Sequence, residues 1–157
     1  MHPRTEEFRD RAREELDFEV EVHKFPEGTE TAADAAEAIG CDVAQIASSI
    51  AMVADELVVV VTSGANRVSE DRLATLRDAN PDEVRMAETD EIKDALGWSI
   101  GGVPPFLHAT DAPVYLDETL TGFDTVWAAA GTPEAVFPID PDRLLALSGA
   151  TVASVAE

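Results

Sequence analysis

The sequence predicts an α/β domain in which helices pack on a mixed β-sheet. Helical and extended patterns alternate along the chain, and the β-branched run at residues 57–61 is typical of a buried strand. Capping residues and glycines mark where the helical stretches begin and end. Since 157 residues suit one domain, we expect a single domain over residues 1–157.

Five segments have helical patterns. Phe8, Ala12 and Leu16 share one face of the first, and Thr31 begins a capping-box-like start to an alanine-rich helix that Gly40 ends. The predicted helices cover residues 5–16, 31–40, 69–78, 89–97 and 140–147, and a short helical turn is expected at 43–47.

Extended segments lie between the helices. Residues 18–25 alternate apolar and polar side chains and predict a strand, and residues 49–53 and 57–62 predict a hairpin. Further strands are expected at residues 83–86, 114–116, 125–129 and 151–155, with a short extended piece at 135–138.

The charge is strongly acidic, with 32 acidic and 11 basic residues and a formal net charge of −21. Lys24 and Lys93 are the two lysines. Such a chain could bind cationic partners, but its acids are spread along the whole sequence and form no tail. We therefore interpret the composition as an acidic, lysine-poor surface adapted to concentrated salt, where a Debye length of about 3 Å at 1 M screens repulsion from nucleic acid.

The expected location is the cytoplasm. No apolar run approaches the roughly 20 residues that span a bilayer, and the first ten residues lack an apolar secretory core. Cys41 is the single cysteine, and no Cys/His cluster has zinc spacing. We therefore expect neither a membrane partner nor a metal, and we assign no cofactor.

Residues 97–106 form the segment most suggestive of a site. Gly101 and Gly102 let a backbone approach a ligand closely, and Pro104 and Pro105 stiffen the loop. We expect Gly102→Val to abolish ligand binding and leave the fold intact. The alternative is a structural turn that carries a core phenylalanine, Phe106.

Other candidates have structural alternatives too. His108 is either a site residue or a packing residue. Ser48 and Ser49 are either a nucleophile and its neighbour or a polar entry to a strand, since no Gly-x-Ser-x-Gly elbow surrounds them. Asp111 and Asp117 flank a predicted strand and could form an acid/base pair, but acids occur throughout the chain.

An ordered set of segments resembles one family. The segments occupy residues 31–40, 45–49, 99–105, 116–120, 127–132 and 140–150. They are similar to YbaK/EbsC-type proteins and to the prolyl-tRNA-synthetase-associated editing domain, whose Gly-x-x-x-Pro loop resembles residues 101–105. The resemblance runs from about residue 5 to the C-terminus.

This resemblance implies a mixed, curved β-sheet surrounded by helices, with a pocket on one side. It also implies trans-editing, in which the ester of a mischarged tRNA carrying a small amino acid is hydrolysed. The implied partner is the acceptor end of aminoacyl-tRNA and not DNA, and the chain would be a monomer or a homodimer. Implied catalytic residues are Ser48, Gly101 and Gly102, and implied substrate-binding residues are Phe25, Thr31, Ser49, Val103, Pro105, His108, Ala129 and Gly131.

One departure from the family leaves a second function open. Ser48 stands where the family usually has a lysine linked to deacylation, and a hydroxyl does not replace an ammonium near phosphate. The alternative is a catalytically degenerate module that recognises aminoacyl-tRNA ends, an amino acid or a protein. A third hypothesis is an acidic interaction protein without a pocket, which is disfavoured because the family-like segments occur in the family's order.

Overall fold

A computed structural model of the chain describes residues 2–25 and 31–157. Five α-helices lie within these ranges: α1 (Pro3–Leu16), α2 (Ala32–Ile39), α3 (Glu70–Arg77), α4 (Thr89–Leu96) and α5 (Pro141–Ser148). The strands are β1 (His23–Lys24), β2 (Ile46–Ala54), β3 (Glu56–Ser63), β4 (Arg85–Met86), β5 (Val114–Asp117), β6 (Val126–Ala129), β7 (Ala135–Ile139) and β8 (Thr151–Ala153). None of the described helices has the length and apolar character that crossing a membrane requires.

The described strands form a mixed sheet in the order β1-β7-β6-β2-β3-β5-β8, and β4 also pairs with β2. Three pairs are parallel, namely β2 with β6, β3 with β5 and β5 with β8. Helices cover both faces, which explains the uninterrupted apolar run in β3. Val59 and Val61 face the larger core cluster, and Val58 and Val60 face the cluster that contains Leu73 of α3. The predicted α/β class with a mixed sheet is confirmed.

Helix α1 is fixed to the sheet by an aromatic cluster. Phe8 is fully buried, and its ring centroid lies 5.2 Å from that of Phe137 and 5.6 Å from that of Phe106. Trp98 meets Phe8 edge to face at 6.0 Å. Such pairs contribute about 0.5–1.5 kcal/mol beyond the area that they bury. The cluster therefore holds α1 against the loop that follows α4.

Cap chemistry explains the bounds of α2. The Thr31 side chain accepts a hydrogen bond from the Asp34 N–H at 3.1 Å, and Gly40 ends the helix at φ +87°. Glycine tolerates this left-handed conformation without a steric cost. Both predicted boundary residues are confirmed, as is the short helical turn, which spans Val43–Gln45.

The predicted strand at residues 18–25 is wrong for most of its length. Only His23–Lys24 finds a partner strand, β7. The alternation still has a structural cause, because Val20 is buried and Phe18 and Val22 pack against the larger core cluster. An extended segment that crosses the core without a neighbouring strand shows the same period of two as a true strand.

A buried carboxylate ties three segments together. Asp117, at the end of β5, accepts hydrogen bonds from the Ser63 N–H and the Thr62 hydroxyl at 3.1 Å and from the Asn66 amide at 3.0 Å. The Ser63 hydroxyl in turn donates to the Ala44 carbonyl at 2.7 Å, just before β2 begins. Asp117 therefore holds the ends of β3 and β5 and, through Ser63, the entry to β2.

Candidate functional site

A cavity of about 430 Å³ opens beside the middle of strand β2, on the edge of the strand that faces away from β3. On its other edge β2 pairs with β3 over residues 47–54. On the open edge, β6 pairs with residues 46–47 of β2, and β4 pairs with residues 52–53. Residues 48–51 thus have no described strand beside them on this edge, and all four line the cavity.

The cavity wall is mostly apolar. It includes Ile46 and Ile50 of β2, Ile92 of α4, Ile100 of the following loop and Trp127 of β6. None of the described lining residues carries a charge, although the chain as a whole has a formal charge of −21. A concave apolar site with a few polar groups is typical of small-ligand binding.

Seven of the eleven predicted site residues line this cavity: Phe25, Thr31, Ser48, Ser49, Gly101, Val103 and Ala129. Strand β2 contributes both serines, and the loop after α4 contributes the glycine and the valine. The other four, which do not line the cavity, are Gly102, Pro105, His108 and Gly131. The roles of all eleven residues stay predictions.

The loop after α4 borders the cavity and contains main-chain N–H groups without a partner among the described residues. Gly101 adopts φ +84°, and the N–H of Gly102 donates to the Ser99 carbonyl at 3.0 Å within the loop. Within residues 2–25 and 31–157, no acceptor pairs with the N–H of Gly101 or of Val103. Among the described residues, these two N–H groups, rather than that of Gly102, therefore lack a protein partner.

Close packing within the protein explains why glycine is required at positions 102 and 131. A Cβ on Gly102 would lie 2.7 Å from the Cα of Thr132, and a Cβ on Gly131 would lie 2.8 Å from the Arg4 carbonyl oxygen. Gly131 also adopts φ +89°. Gly102 allows the contact with Thr132 that holds the segment carrying Gly101, and Gly131 allows a close contact with α1.

His108 stabilises the same loop through a hydrogen bond to its main chain and does not line the cavity. Its Nε2–H donates to the Pro104 carbonyl at 2.7 Å. Burial lowers the pKa of His108 below its usual value, and the hydrogen bond to Pro104 opposes this only in part. The imidazole is therefore neutral at neutral pH, with one ring nitrogen engaged in holding the loop.

Sequence reasoning missed several cavity residues. Ile50, Ile92 and Trp127 line the wall, as does Pro133, which packs against Gly101. The helical period at Ile92 predicts an inward-facing residue but cannot distinguish a core from a cavity wall. No pattern in the chain marks Pro133, because its role depends on the contact between the two loops.

Acidic, histidine and cysteine side chains do not converge at this site. Across the described ranges, no three of them come close enough to hold a metal ion. The site is therefore a small apolar cavity with three hydroxyl groups, those of Thr31, Ser48 and Ser49. The loop after α4, which lines part of it, adds main-chain N–H groups.

Comparisons with known proteins give matches over most of the chain. A family model described as "Aminoacyl-tRNA editing domain" matches residues 26–147. "Uncharacterized protein YwhH" of Bacillus subtilis (strain 168) is 31% identical over 128 residues, which cover 80% of this chain and 80% of that protein. A crystal structure described as a "putative trans-editing enzyme for prolyl tRNA synthetase" is 39% identical, covers 100% of this chain and 99% of that one, and superposes with a TM-score of 0.91.

A more distant structure supports the fold alone. The crystal structure of hypothetical protein APE2540 is 23% identical, with a TM-score of 0.83 over 94% of this chain and 98% of that chain.

Proposed function

Because this chain belongs to the aminoacyl-tRNA editing domain family, we propose that it hydrolyses the ester of mischarged aminoacyl-tRNA in trans. The observation that carries the proposal is a cavity whose described lining has no charged residue, beside a loop in which two N–H groups have no partner among the described residues. Small aminoacyl groups are poorly discriminated by binding alone, so a separate hydrolytic site has a role in selecting them.

The chemistry needs few side chains. A water molecule attacks the acyl carbon, the bond from that carbon to the ribose oxygen breaks, and the proton that the water loses passes to the ribose oxygen, which leaves as a hydroxyl. The N–H groups of Gly101 and Val103 would stabilise the negative charge that develops on the carbonyl oxygen. A preorganised donor of this kind typically contributes about 10²–10³ in kcat.

The wall of the cavity supports selection by size and charge. The described lining offers no partner for a charged side chain, and burying an unpaired charge is costly. We therefore propose that the site accepts an aminoacyl group with a small, uncharged side chain and that the acceptor end of the tRNA lies at its mouth.

Deacylation of a panel of mischarged tRNAs tests the proposal. We expect hydrolysis of esters of small uncharged amino acids, at least about 100-fold faster than of aspartyl or lysyl esters. Ala129→Phe should fill the cavity and reduce hydrolysis at least about tenfold, whereas Ala38→Phe on the exposed face of α2 should not. Hydrolysis at the rate of buffer for every tRNA, in dilute and in molar KCl, would reject the proposal.

Ser48 favours a second candidate, a binding module that recognises aminoacyl ends without hydrolysing them. Ser48 lines the cavity, so the position where the family usually has a lysine lies at the site but carries no ammonium group. If the site is degenerate, Ser48→Lys should create deacylase activity that the unmodified chain lacks. If the chain is already a deacylase, this variant should change its rate without being required for it.

A further inference from the structure

Strand β2 has main-chain hydrogen-bonding groups that the sheet does not use. In an antiparallel strand, the N–H and C=O of one residue point to the same edge, and successive residues alternate between edges. The Ile46 carbonyl accepts from the Gly64 N–H at 2.8 Å, on the side of β3. Ser49, three positions later, therefore directs its N–H and C=O to the opposite edge, where the cavity lies.

The residues before and after Ser49 on that edge form hydrogen bonds or strand pairs within the protein. Ala47 pairs with β6 and Val53 pairs with β4, and the Ala51 carbonyl accepts from the Ala87 N–H at 3.0 Å. Ser49 lies between them, and no described residue pairs with its N–H or C=O. The main chain thus offers one donor and one acceptor side by side at the cavity wall.

The side chain of Ser49 adds a third unused group. Its hydroxyl oxygen is buried, and no described residue forms a hydrogen bond with it. A buried polar group without a partner is unfavourable and rare in folded proteins. Three groups that lack a partner among the described residues, on one residue that lines a cavity, point to a ligand that satisfies them.

We propose that Ser49 binds the α-ammonium end of the aminoacyl ester, a proposal that rests on the function proposed above. The Ser49 carbonyl and hydroxyl oxygens accept hydrogen bonds from the ammonium group, and the Ser49 N–H donates to the acyl carbonyl. An extended amino acid presents its N–H and C=O on one side, so that it pairs with Ser49 as a single residue of a neighbouring strand would.

This arrangement defines the substrate class as aminoacyl esters with a free amine. Acylation of the nitrogen removes its charge and two of its three donors, and it adds bulk at a gap that β4 and β6 close on both sides. The negative charge of the chain also favours a cationic group over a neutral one. N-acylated aminoacyl-tRNA and peptidyl-tRNA should therefore be excluded.

The test uses the full chain and two stable analogues, 3′-alanylamino-3′-deoxyadenosine and its N-acetyl derivative, with affinities measured by calorimetry. We expect the free amine to bind at least about tenfold more tightly. Ser49→Ala should weaken the free-amine analogue about tenfold and leave the N-acetyl analogue nearly unchanged. Its Tm should be equal to or higher than that of the unmodified chain, because the unsatisfied hydroxyl is removed.

Ser154→Ala, at an exposed serine near the C-terminus, is the matched control and should change neither affinity. Equal affinity for the two analogues, or a Ser49→Ala variant that loses both alike and melts earlier, would overturn the inference. Equal rates of hydrolysis of alanyl-tRNA and N-acetyl-alanyl-tRNA would overturn it while the proposed function stands. Absence of binding by both analogues, with no hydrolysis of any ester, would remove both.

Discussion

Replacing Gly102 by valine is expected to destabilise the folded protein by about 3 kcal/mol or more. A Cβ at this position would lie 2.7–2.9 Å from three backbone atoms of Thr132, and no side-chain movement can relieve a clash with backbone. The free energy of unfolding, measured by urea denaturation, should show the loss. This differs from the expectation that valine would block a ligand and leave the fold intact, because the close approach at Gly102 is to the protein itself.

Gly122→Val is the control for this prediction. A Cβ on Gly122 meets no atom within 4 Å, so the change should stay below about 1 kcal/mol. A Gly102→Val variant as stable as the Gly122→Val variant would show that the two loops do not pack as closely as described.

Replacing Asp117 by alanine should cost about 3 kcal/mol or more of folding stability. The carboxylate is 1% exposed and accepts hydrogen bonds from the Ser63 N–H and from the Asn66 amide, which the substitution leaves without their acceptor. Hydrogen bonds to a charged group contribute about 1.5–3 kcal/mol each, and unpaired buried donors add a further cost. Asp124→Ala, at an exposed aspartate, should change stability by about 0.5 kcal/mol or less.

The contribution of Asp117 should also depend on pH. Burial raises the pKa of this carboxyl, but hydrogen bonds from Asn66, Ser63 and Thr119 together lower it below its usual value. A carboxyl with a lowered pKa in the folded state stabilises the protein above its unfolded pKa of about 3.9, and this stabilisation is lost as the pH falls further. The stability difference between the unmodified chain and Asp117→Ala should therefore be constant near neutral pH and shrink below about pH 4. A difference that grows on acidification would contradict this account.

Local signals predicted the helices well because their causes are local. Thr31 caps α2 through a hydrogen bond to Asp34, three residues away, and Gly40 ends the same helix through its own φ angle. Ser69 and Asp140 likewise accept hydrogen bonds from the N–H groups of the first turns of α3 and α5. Such contacts are set by residues close in the sequence and need no knowledge of the tertiary structure.

Local signals predicted the hairpin, which is confirmed by the antiparallel pair of β2 and β3, but they did not predict pairing between segments distant in the sequence. The alternation at residues 18–25 reports burial, which an extended segment achieves here without a partner strand. The order of the strands, in which β6 and β4 share one edge of β2, depends on contacts over many residues. The gap at residues 48–51, and hence the cavity, could not be located from periodicity.

The glycine pair shows that the sequence can indicate a loop beside the cavity without indicating the role of each glycine. Gly101 and Gly102 were singled out because glycine permits close approach of a backbone, and one of them does line the cavity. The other serves the contact with Thr132. Sequence alone does not show which neighbour, a ligand or the protein, requires the missing side chain.

An unpaired strand edge ordinarily promotes aggregation, because a strand of another chain can extend the sheet along it. The open edge of β2 is four residues long and is closed at both ends by β6 and β4. Segments that stack into fibrils usually need about six or seven residues in register. The interruption that makes room for a ligand is therefore shorter than such a segment, which disfavours self-association through the main-chain groups at the cavity.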